Sequence, residues 1–366
     1  MQIPKKEQIT FKQFVFYIYK TQIGIGVLTL PRIVAEEAST DGWISILISW
    51  GVTLLIGIFI IGLLRRFPGH TLYEILPKLF GKVAGSALTL LWVVYSLFSA
   101  GVVLFTMVYI IQVWILRNTH FVVLVITYLL PIYLIAKQRL QVQTRFAEFV
   151  YISTLWMPPL LFFSLRDANV LNILPIGKEG IGNVLKAVPY TLAPLLGFEG
   201  AYFLQPYLKD RSKALKGVTL AVSMAAVLYL FVVIISFLCF NENEIQDYFW
   251  PTLQLLKAIT LPFIERFEIV FLAFYLTIVA QTIIPYLYYS AAGCSSLLKL
   301  RDHKWPLFAA VILLIILSLS YEPDEQIISR LGSIQNWVGM GMAYAFPILI
   351  WLFAVLFKRA RKEPAG

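Results

Sequence analysis

The chain alternates between long apolar runs and short polar segments. Ten of the apolar runs are long enough to cross a hydrocarbon layer of about 30 Å, which takes roughly 20 helical residues. They cover residues 12–36, 43–64, 83–116, 120–137, 144–165, 185–206, 217–240, 265–298, 304–321 and 335–357. Two shorter apolar stretches, 71–80 and 253–261, predict helices that lie on the membrane surface. The pattern predicts an all-α integral membrane protein with ten transmembrane helices, forming one domain over residues 1–366.

The first and the sixth run each contain residues that weaken a helix near the middle of the run. The first run carries Gly24, Gly26 and Pro31, and the sixth carries Gly197 and Gly200. Glycine costs about 1 kcal/mol relative to alanine in a helix interior, and proline removes a backbone donor. Unwound backbone at membrane depth survives only where it is buried in protein or lines a wet cavity. One such break favours close helix packing, but a pair of breaks favours a ligand site.

The positions of the two breaks indicate an internal repeat. Five runs precede the long outer loop and five follow it, over residues of about 11–165 and 184–357. Because each half has an odd number of spans, the second half is inserted with the opposite orientation. A first and a sixth helix that are both broken are typical of the LeuT-type 5+5 inverted repeat.

Composition agrees with a membrane protein and sets its orientation. Hydrophobic residues make up 59% of the chain and charged residues only 14%, against about a quarter in soluble proteins. The net charge of +10 does not indicate a nucleic-acid partner, because the basic residues lie in short loops between apolar runs. Most of them lie at the N-terminus, in alternate loops and in the tail 358–362. This excess predicts that both termini are cytoplasmic and that the lipid bilayer is the main surrounding partner.

The breaks and the spans expected to face them supply the candidate ligand-binding residues. They are Gly24, Ile25, Gly26 and Val27 in the first break, Ser99 and Val103 on the third span, Leu195, Leu196, Gly197, Phe198 and Glu199 in the second break, and Thr282 on the eighth span. The N-terminus of a half-helix offers free N–H groups that suit a carboxylate. Break carbonyls near Gly24, Val27 and Thr282 could also coordinate sodium. No other metal site and no cofactor is predicted.

Two ionisable residues in these spans have competing interpretations. Glu199 lies near the membrane centre, where a carboxylate is a candidate for function by default. It could instead cap the broken helix by accepting bonds from freed N–H groups, and the sequence favours neither role. Lys20 could pair with an acidic residue or extend to the cytoplasmic face, and the second is the favoured interpretation. The aromatic residues Tyr286, Tyr288 and Tyr289 are expected to serve packing.

Groups that would support catalysis are missing from the predicted spans. The three histidines, His70, His120 and His303, all fall in loops, and no nucleophile motif or phosphate-binding loop is present. The glycine-rich segment 177–182 lacks the strand-to-helix context that a phosphate loop requires. The sequence therefore disfavours an enzyme.

Several motifs resemble a known family. The stretch 24–31 resembles the first helix of amino acid–polyamine–organocation transporters, and 197–200 resembles their sixth helix. With the start at 9–14 and the Leu-Pro loop at 174–175, the chain is similar to spore germination permeases, the B subunits of nutrient germinant receptors. The resemblance covers essentially the whole chain. It implies a subunit in the spore inner membrane that senses an amino acid-like nutrient, with a larger membrane A subunit and a lipoprotein C subunit as partners.

The sequence is therefore consistent with two functions. The first is a nutrient sensor that passes a conformational signal to partner subunits. The second is a proton- or sodium-coupled amino acid transporter. Both need the same pocket, so the physical reading does not separate them, and only the resemblance favours the sensor.

Overall fold

The computed structural model describes residues 4, 7–175, 177–178, 180–257, 266–320 and 322–357. Over these residues the chain is helical, and its β-type pairing is a single parallel bridge between Ile9 and Leu208. The α-helices are α1 Phe11–Gln22, α2 Gly26–Ala38, α3 Trp43–Arg66, α4 Leu72–Trp114, α5 Phe121–Ala136, α6 Leu140–Ser153, α7 Met157–Leu160, α8 Gly180–Leu192, α9 Ala201–Leu204, α10 Ala214–Cys239, α11 Glu242–Asp247, α12 Pro251–Lys257, α13 Phe267–Leu298, α14 Lys304–Ser320, α15 Glu325–Gly339 and α16 Phe346–Leu356.

Six helical stretches are long and apolar enough to cross a membrane. They are Gly26–Arg66, Leu72–Trp114, Leu140–Arg166, Arg211–Cys239, Phe267–Leu298 and Glu325–Leu356. Two shorter apolar helices, α5 and α14, correspond to the predicted fourth and ninth spans. The remaining predicted spans, the first and the sixth, are those in which the sequence placed a break.

The first break separates α1 from α2. Helix α1 begins with a capping box, in which the Thr10 hydroxyl accepts from the Gln13 N–H and the Gln13 side chain accepts from the Thr10 N–H. It ends at Gln22, and α2 begins at Gly26 without a side-chain cap. Pro31 lies inside α2 rather than ending it, and the Val27 carbonyl, which loses its helical donor to the proline, accepts from the Thr252 hydroxyl at 2.7 Å.

The second break follows α8. The chain passes through a short 3₁₀ turn, Ala193–Leu195, and Gly197 adopts a φ of 116° in the left-handed region that favours glycine. A second 3₁₀ turn, Phe198–Gly200, then leads into the four-residue helix α9. The segment after Leu192 is therefore not a continuous helix, as the prediction of a broken span requires.

A third irregularity was not predicted from the sequence. A π-helical turn, Met340–Ala345, separates α15 from α16 within the last apolar stretch. Helix α15 also begins at Glu325, earlier than the predicted start at residue 335, because the Asp324 side chain caps it by accepting from the Ile327 N–H at 2.9 Å. The wide turn brings Tyr344 within 5.2 Å of Phe198, measured between ring centroids. The last span thus packs against the second break.

Of the two helices predicted to lie on the membrane surface, one is fully described by the structure and the other only in part. Residues 72–80 are helical and are followed by a sharp change of direction at Gly81, whose φ is 82°. Helix α12 covers Pro251–Lys257, and the rest of the predicted stretch 253–261 lies outside the described residues.

Helix packing puts the broken segments at the centre. Helices α4 and α13 form the most extensive helix pair, and α1 packs against α6, α10 and α13. Helix α8 packs against α3 and α2. Each break is consequently surrounded by unbroken helices that can supply partners for its exposed backbone groups.

Candidate functional site

The two breaks lie against each other. The Nε2 of Gln22, the last residue of α1, donates a 2.8 Å hydrogen bond to the Leu195 carbonyl in the second break. Gly197 lies so close to α1 that a Cβ atom there would be 2.9 Å from Cγ2 of Thr21. Residues far apart in sequence thus form one irregular backbone region inside the helix bundle.

A cavity of about 340 Å³ opens beside this region. Pockets for small molecules typically have volumes of roughly 300–1,000 Å³, so the space suits a small ligand. Its wall is lined by residues from both breaks and from helices α2, α4, α8, α10, α13 and α15. These are Thr21, Gln22, Gly24, Ile25, Gly26, Thr29, Arg32, Ile33, Glu36, Glu37, Val102, Val103, Thr106, Tyr190, Ala193, Pro194, Leu196, Tyr229, Phe249, Thr282, Tyr286, Ile328, Ser329, Gly332, Ser333, Gln335 and Asn336.

Half of the residues predicted from the sequence lie on this wall. They are Gly24, Ile25, Gly26, Val103, Leu196 and Thr282. The other six lie behind or beside it: Val27, Ser99, Leu195, Gly197, Phe198 and Glu199. Val27 borders a separate space of about 50 Å³ instead, next to Lys20 and Thr154. The backbone geometry of the second break turns Leu196 toward the cavity and buries its neighbours.

Side-chain hydroxyls hold the carbonyl groups of the first break. Tyr229 donates to the Gln22 carbonyl at 2.7 Å, and Tyr275 donates to the Gly24 carbonyl at 2.7 Å. Thr282 donates to the Ile23 carbonyl at 3.0 Å. These bonds replace the helical partners that the carbonyls lose at the break, and buried backbone oxygens without partners would be costly.

The same bonds bear on the predicted sodium site near Gly24, Val27 and Thr282. The Gly24 and Val27 carbonyls accept hydrogens from Tyr275 and Thr252, each at 2.7 Å, and Thr282 acts as a donor. Each carbonyl oxygen has a second lone pair, so a sodium ion at this place would share its ligands with the hydroxyl donors. Sodium at the first break stays a prediction.

Glu199 is fully buried and has only donors around it. Its Oε2 accepts from the Gly197 N–H at 2.7 Å, and its Oε1 accepts from the hydroxyls of Tyr95 and Tyr286 at 3.1 and 2.9 Å. The bond to Gly197 is the capping arrangement that the sequence allowed as one alternative. Glu199 therefore fixes the shape of the second break, and it reaches the cavity only through a partner.

That partner is Tyr286, which was predicted from the sequence to serve packing. Tyr286 lines the cavity and donates to Glu199, whereas Tyr288 and Tyr289 do not line the cavity. Tyr286 lies close in sequence to Thr282 on α13, so the two residues lie on neighbouring turns of one helix face. The spacing from Thr282 is the signal that could have identified it.

The part of the cavity wall that α2 and α15 form away from the breaks was also not predicted from the sequence. Arg32 and Glu36 on α2 form an ion pair of 2.6 Å, and the Arg32 guanidinium lies 5.2 Å from the ring centre of Phe249. Helix α15 supplies the opposite wall with small and polar residues such as Ser329 and Asn336. The prediction started the last span at residue 335 and therefore left most of this wall in a loop.

Lys20 does not extend to the membrane surface as expected. Its side chain is 4% exposed, and its Nζ donates to Oγ1 of Thr154 at 2.8 Å. The rings of Tyr19 and Tyr151 lie 5.4 and 5.9 Å from the same nitrogen. The aromatic faces and one hydroxyl hold the amine in place of an acidic partner.

The family described as spore germination protein matches residues 8–326, most of the chain. The chain belongs to this family. Spore germination protein B2 of Bacillus subtilis (strain 168) is 30% identical over 270 residues, 72% of this chain and 73% of that protein. Spore germination protein GerQB of Bacillus cereus is 24% identical over 354 residues, 96% of this chain and 97% of that protein.

Solved structures identify the fold of this spore germination protein. A closed, bromovinylhydantoin-bound structure of Mhp1, a nucleobase-cation-symport-1 family transporter, aligns with a TM-score of 0.70 at 12% identity. The alignment covers 98% of this chain and 82% of Mhp1. MhsT in complex with L-phenylalanine gives a TM-score of 0.69 at 13% identity, covering 92% and 88% of the two chains. The family member therefore has the fold of LeuT-type transporters.

Proposed function

We propose that this protein is the nutrient-sensing subunit of a spore germinant receptor and binds a small amino acid-like germinant in the cavity between the two breaks. The observation that carries the proposal is the cavity itself, about 340 Å³ in volume and bounded by Gly24, Gly26 and Thr282. A purely structural break would be closed by packing, whereas this one borders a space large enough for a ligand.

The chemistry of the cavity suits an amino acid. Helix α2 begins at Gly26 on the cavity wall without a side-chain cap; the N–H groups of Val27 and Leu28 bond to the Gly24 and Ile25 carbonyls, whereas no backbone carbonyl of the described residues accepts from the N–H of Gly26. Such an N-terminus carries partial positive charge and favours a carboxylate. The apolar side chains of Ile25, Val103 and Leu196 surround the space beside it and would accept a small, partly apolar side chain.

The sensing role rests on family membership. Relatives of this chain are named spore germination proteins, and a receptor subunit of this kind would pass its signal to a larger membrane A subunit and a lipoprotein C subunit in the spore inner membrane. The second candidate is an amino acid transporter, which the LeuT-type fold favours. Proton coupling is the version that we retain, because the hydroxyl groups of Tyr275 and Thr252 compete with sodium for the carbonyl oxygens at the first break.

The architecture that we infer for this role has ten spans in a 5+5 inverted repeat, over about 11–165 and 184–357, within one membrane domain. The packing of α1 on α10 and of α8 on α3 supports the repeat, since these pairs join the broken span of one half to the second span of the other. With the basic loops inside, both termini would be cytoplasmic.

Two measurements test the function. The full-length chain in lipid nanodiscs should bind at least one standard L-amino acid, as detected by calorimetry and by an increased melting temperature. Spores that lack the gene should lose germination with that same amino acid and keep their responses to others. Uptake of the labelled amino acid into vesicles would favour the transporter, and binding without uptake would favour the sensor. Absence of binding to every amino acid would contradict both.

A further inference from the structure

The side chain of Gln22, at the end of α1, forms a hydrogen bond to the second break. Its Nε2 donates to the Leu195 carbonyl at 2.8 Å, which fixes the orientation of the amide and turns Oε1 the other way. The residue is 2% exposed and lines the cavity, yet Oε1 has no hydrogen-bond partner within the described structure. A buried amide oxygen without a partner costs about 1–3 kcal/mol, so the cavity is expected to supply one.

The backbone acceptors around Gln22 are already in use. The carbonyl groups of Gln22, Ile23 and Gly24 accept from Tyr229, Thr282 and Tyr275. The Leu195 carbonyl accepts from Gln22 itself. The Gln22 Oε1 is therefore a buried side-chain acceptor at this end of the cavity that has no donor among the described residues.

We propose that the Oε1 of Gln22 binds the ammonium group of the germinant and sets the requirement for a free amino group. This inference rests on the proposed function. The carboxylate and the ammonium of a 2-amino acid are attached to the same carbon atom. An amino acid whose carboxylate binds at the start of α2 therefore has its ammonium group within a few ångströms of that point. Gln22 lies at the end of α1, directly across the break from the start of α2 at Gly26.

The acidic residues on the cavity wall are the other candidates for binding the ammonium group. Glu37 lies near the far end of α2, about 16 Å along the helix axis from Gly26 at 1.5 Å per residue. Glu36 is already paired with Arg32. Neither carboxylate can reach an ammonium group whose carboxylate is held at the start of α2. Asn336 on α15 also has an unpartnered Oδ1 within the described structure, which is a second acceptor for a donor group of the ligand.

The test compares an amino acid with its near-isosteric 2-hydroxy acid, in which a hydroxyl replaces the ammonium. The probe is the standard L-amino acid that binds the full-length chain most tightly in nanodiscs. We expect the wild-type protein to bind the hydroxy acid roughly 10- to 150-fold more weakly, which corresponds to about 1.5–3 kcal/mol for a hydrogen bond to a charged group. Equal affinities for the two probes would overturn the inference and leave amino acid binding intact.

Two variants separate the acceptor from the structural anchor. Gln22→Met and Gln22→Glu both lose the Nε2 bond to Leu195, but only the glutamate retains acceptor oxygens. Gln22→Met should lose most of the preference for the amino acid, and Gln22→Glu should keep it. An unchanged preference in Gln22→Met would overturn the inference, as would its loss in Glu37→Gln alone. If Gln22→Met does not fold, two results would still overturn the inference: equal affinities of the wild-type protein for the two probes, or loss of the preference for the amino acid in Gln22→Glu. Absence of binding to all amino acids would reject the proposed function and this inference together.

Discussion

Tyr286 lies on the wall of the cavity, and its hydroxyl donates a 2.9 Å hydrogen bond to Oε1 of Glu199, which does not line the cavity and is fully buried. Through its other oxygen, Glu199 holds the N–H of Gly197 in the second break. The pair thus joins the space for a ligand to the backbone geometry of the broken helix. A ligand that displaced the Tyr286 ring would act on that geometry directly.

Tyr286 and Tyr95 offer a matched comparison, because both donate to the same carboxylate oxygen and only Tyr286 lines the cavity. Removing either hydroxyl should cost about 1.5–3 kcal/mol of stability, as expected for hydrogen bonds to charged groups. Tyr286→Phe should in addition change the ligand dissociation constant by roughly tenfold, and Tyr95→Phe should not. Melting curves and calorimetry on both proteins measure this. Equal effects on binding would place the link to the cavity elsewhere.

Glu199→Gln should reduce stability rather than remove a ligand contact. Glutamine offers one acceptor oxygen and one NH₂ donor, whereas Glu199 has donors at both oxygens. One pair of donors is then left face to face in a buried site, at a cost of about 1–3 kcal/mol. The melting temperature of the purified variant should fall. Glu268→Gln, at the paired glutamate near the start of α13, serves as control. An unchanged melting temperature with a changed ligand affinity would show that Glu199 contacts ligand.

Gly26 is the position where a methyl group should affect the site most. A Cβ there would lie 3.0 Å from Cβ of Pro194 and 3.3 Å from the Tyr229 hydroxyl, while a Cβ at Gly24 would lie 3.4 Å from Thr282. Overpacking costs about 1–3 kcal/mol, or roughly a five- to hundredfold loss if it falls on ligand affinity. Gly26→Ala should therefore raise the germinant concentration for half-maximal response more than Gly24→Ala does.

Gly51→Ala provides the control for this series, since a Cβ at Gly51 would meet nothing within 4 Å. It should leave the dose response unchanged. All three proteins must accumulate to equal amounts in the spore membrane for the comparison to count. Unaltered responses in Gly26→Ala at normal abundance would mean that the ligand binds away from the two breaks.

Ligand binding should not require sodium. The carbonyls of Gly24 and Val27 accept hydrogens from Tyr275 and Thr252, so an ion would have to compete with hydroxyl donors for these oxygens. Replacing sodium by potassium at constant ionic strength should change the dissociation constant by less than about twofold, equivalent to roughly 0.4 kcal/mol. A tenfold weakening without sodium would restore the sodium site.

The orientation is tested with a reporter that is active only in the cytoplasm. Fused after Gly366, the reporter should be active, because the tail and the alternate loops carry the basic excess. Inserted in the acidic segment 241–247, it should be silent. The reverse pattern would invert the proposed topology.

The sequence by itself determined the membrane class, the positions of most spans and the two broken helices. These features follow from local properties: hydropathy over about 20 residues, and the effects of glycine and proline on a helix in lipid. The family resemblance, which the family match confirms, depended on the same local motifs. The π-helical turn at Met340–Ala345 escaped prediction although Gly339, Gly341 and Pro347 lie in or beside it, because glycine and proline weaken a helix without specifying a π-turn.

The tertiary structure decided which residues of the breaks meet a ligand. Gln22 and Leu195 are 173 positions apart, and Glu199 is 104 positions from Tyr95, so neither partnership is visible in one sequence. Each unwound backbone group must find a donor or acceptor somewhere in the bundle, because lipid offers none. The choice of partner turned Glu199 inward as a cap and left the Gln22 Oε1 unpaired beside the cavity. Glycine and proline locate a break along the chain, but only packing determines which of its polar atoms remain available to a ligand.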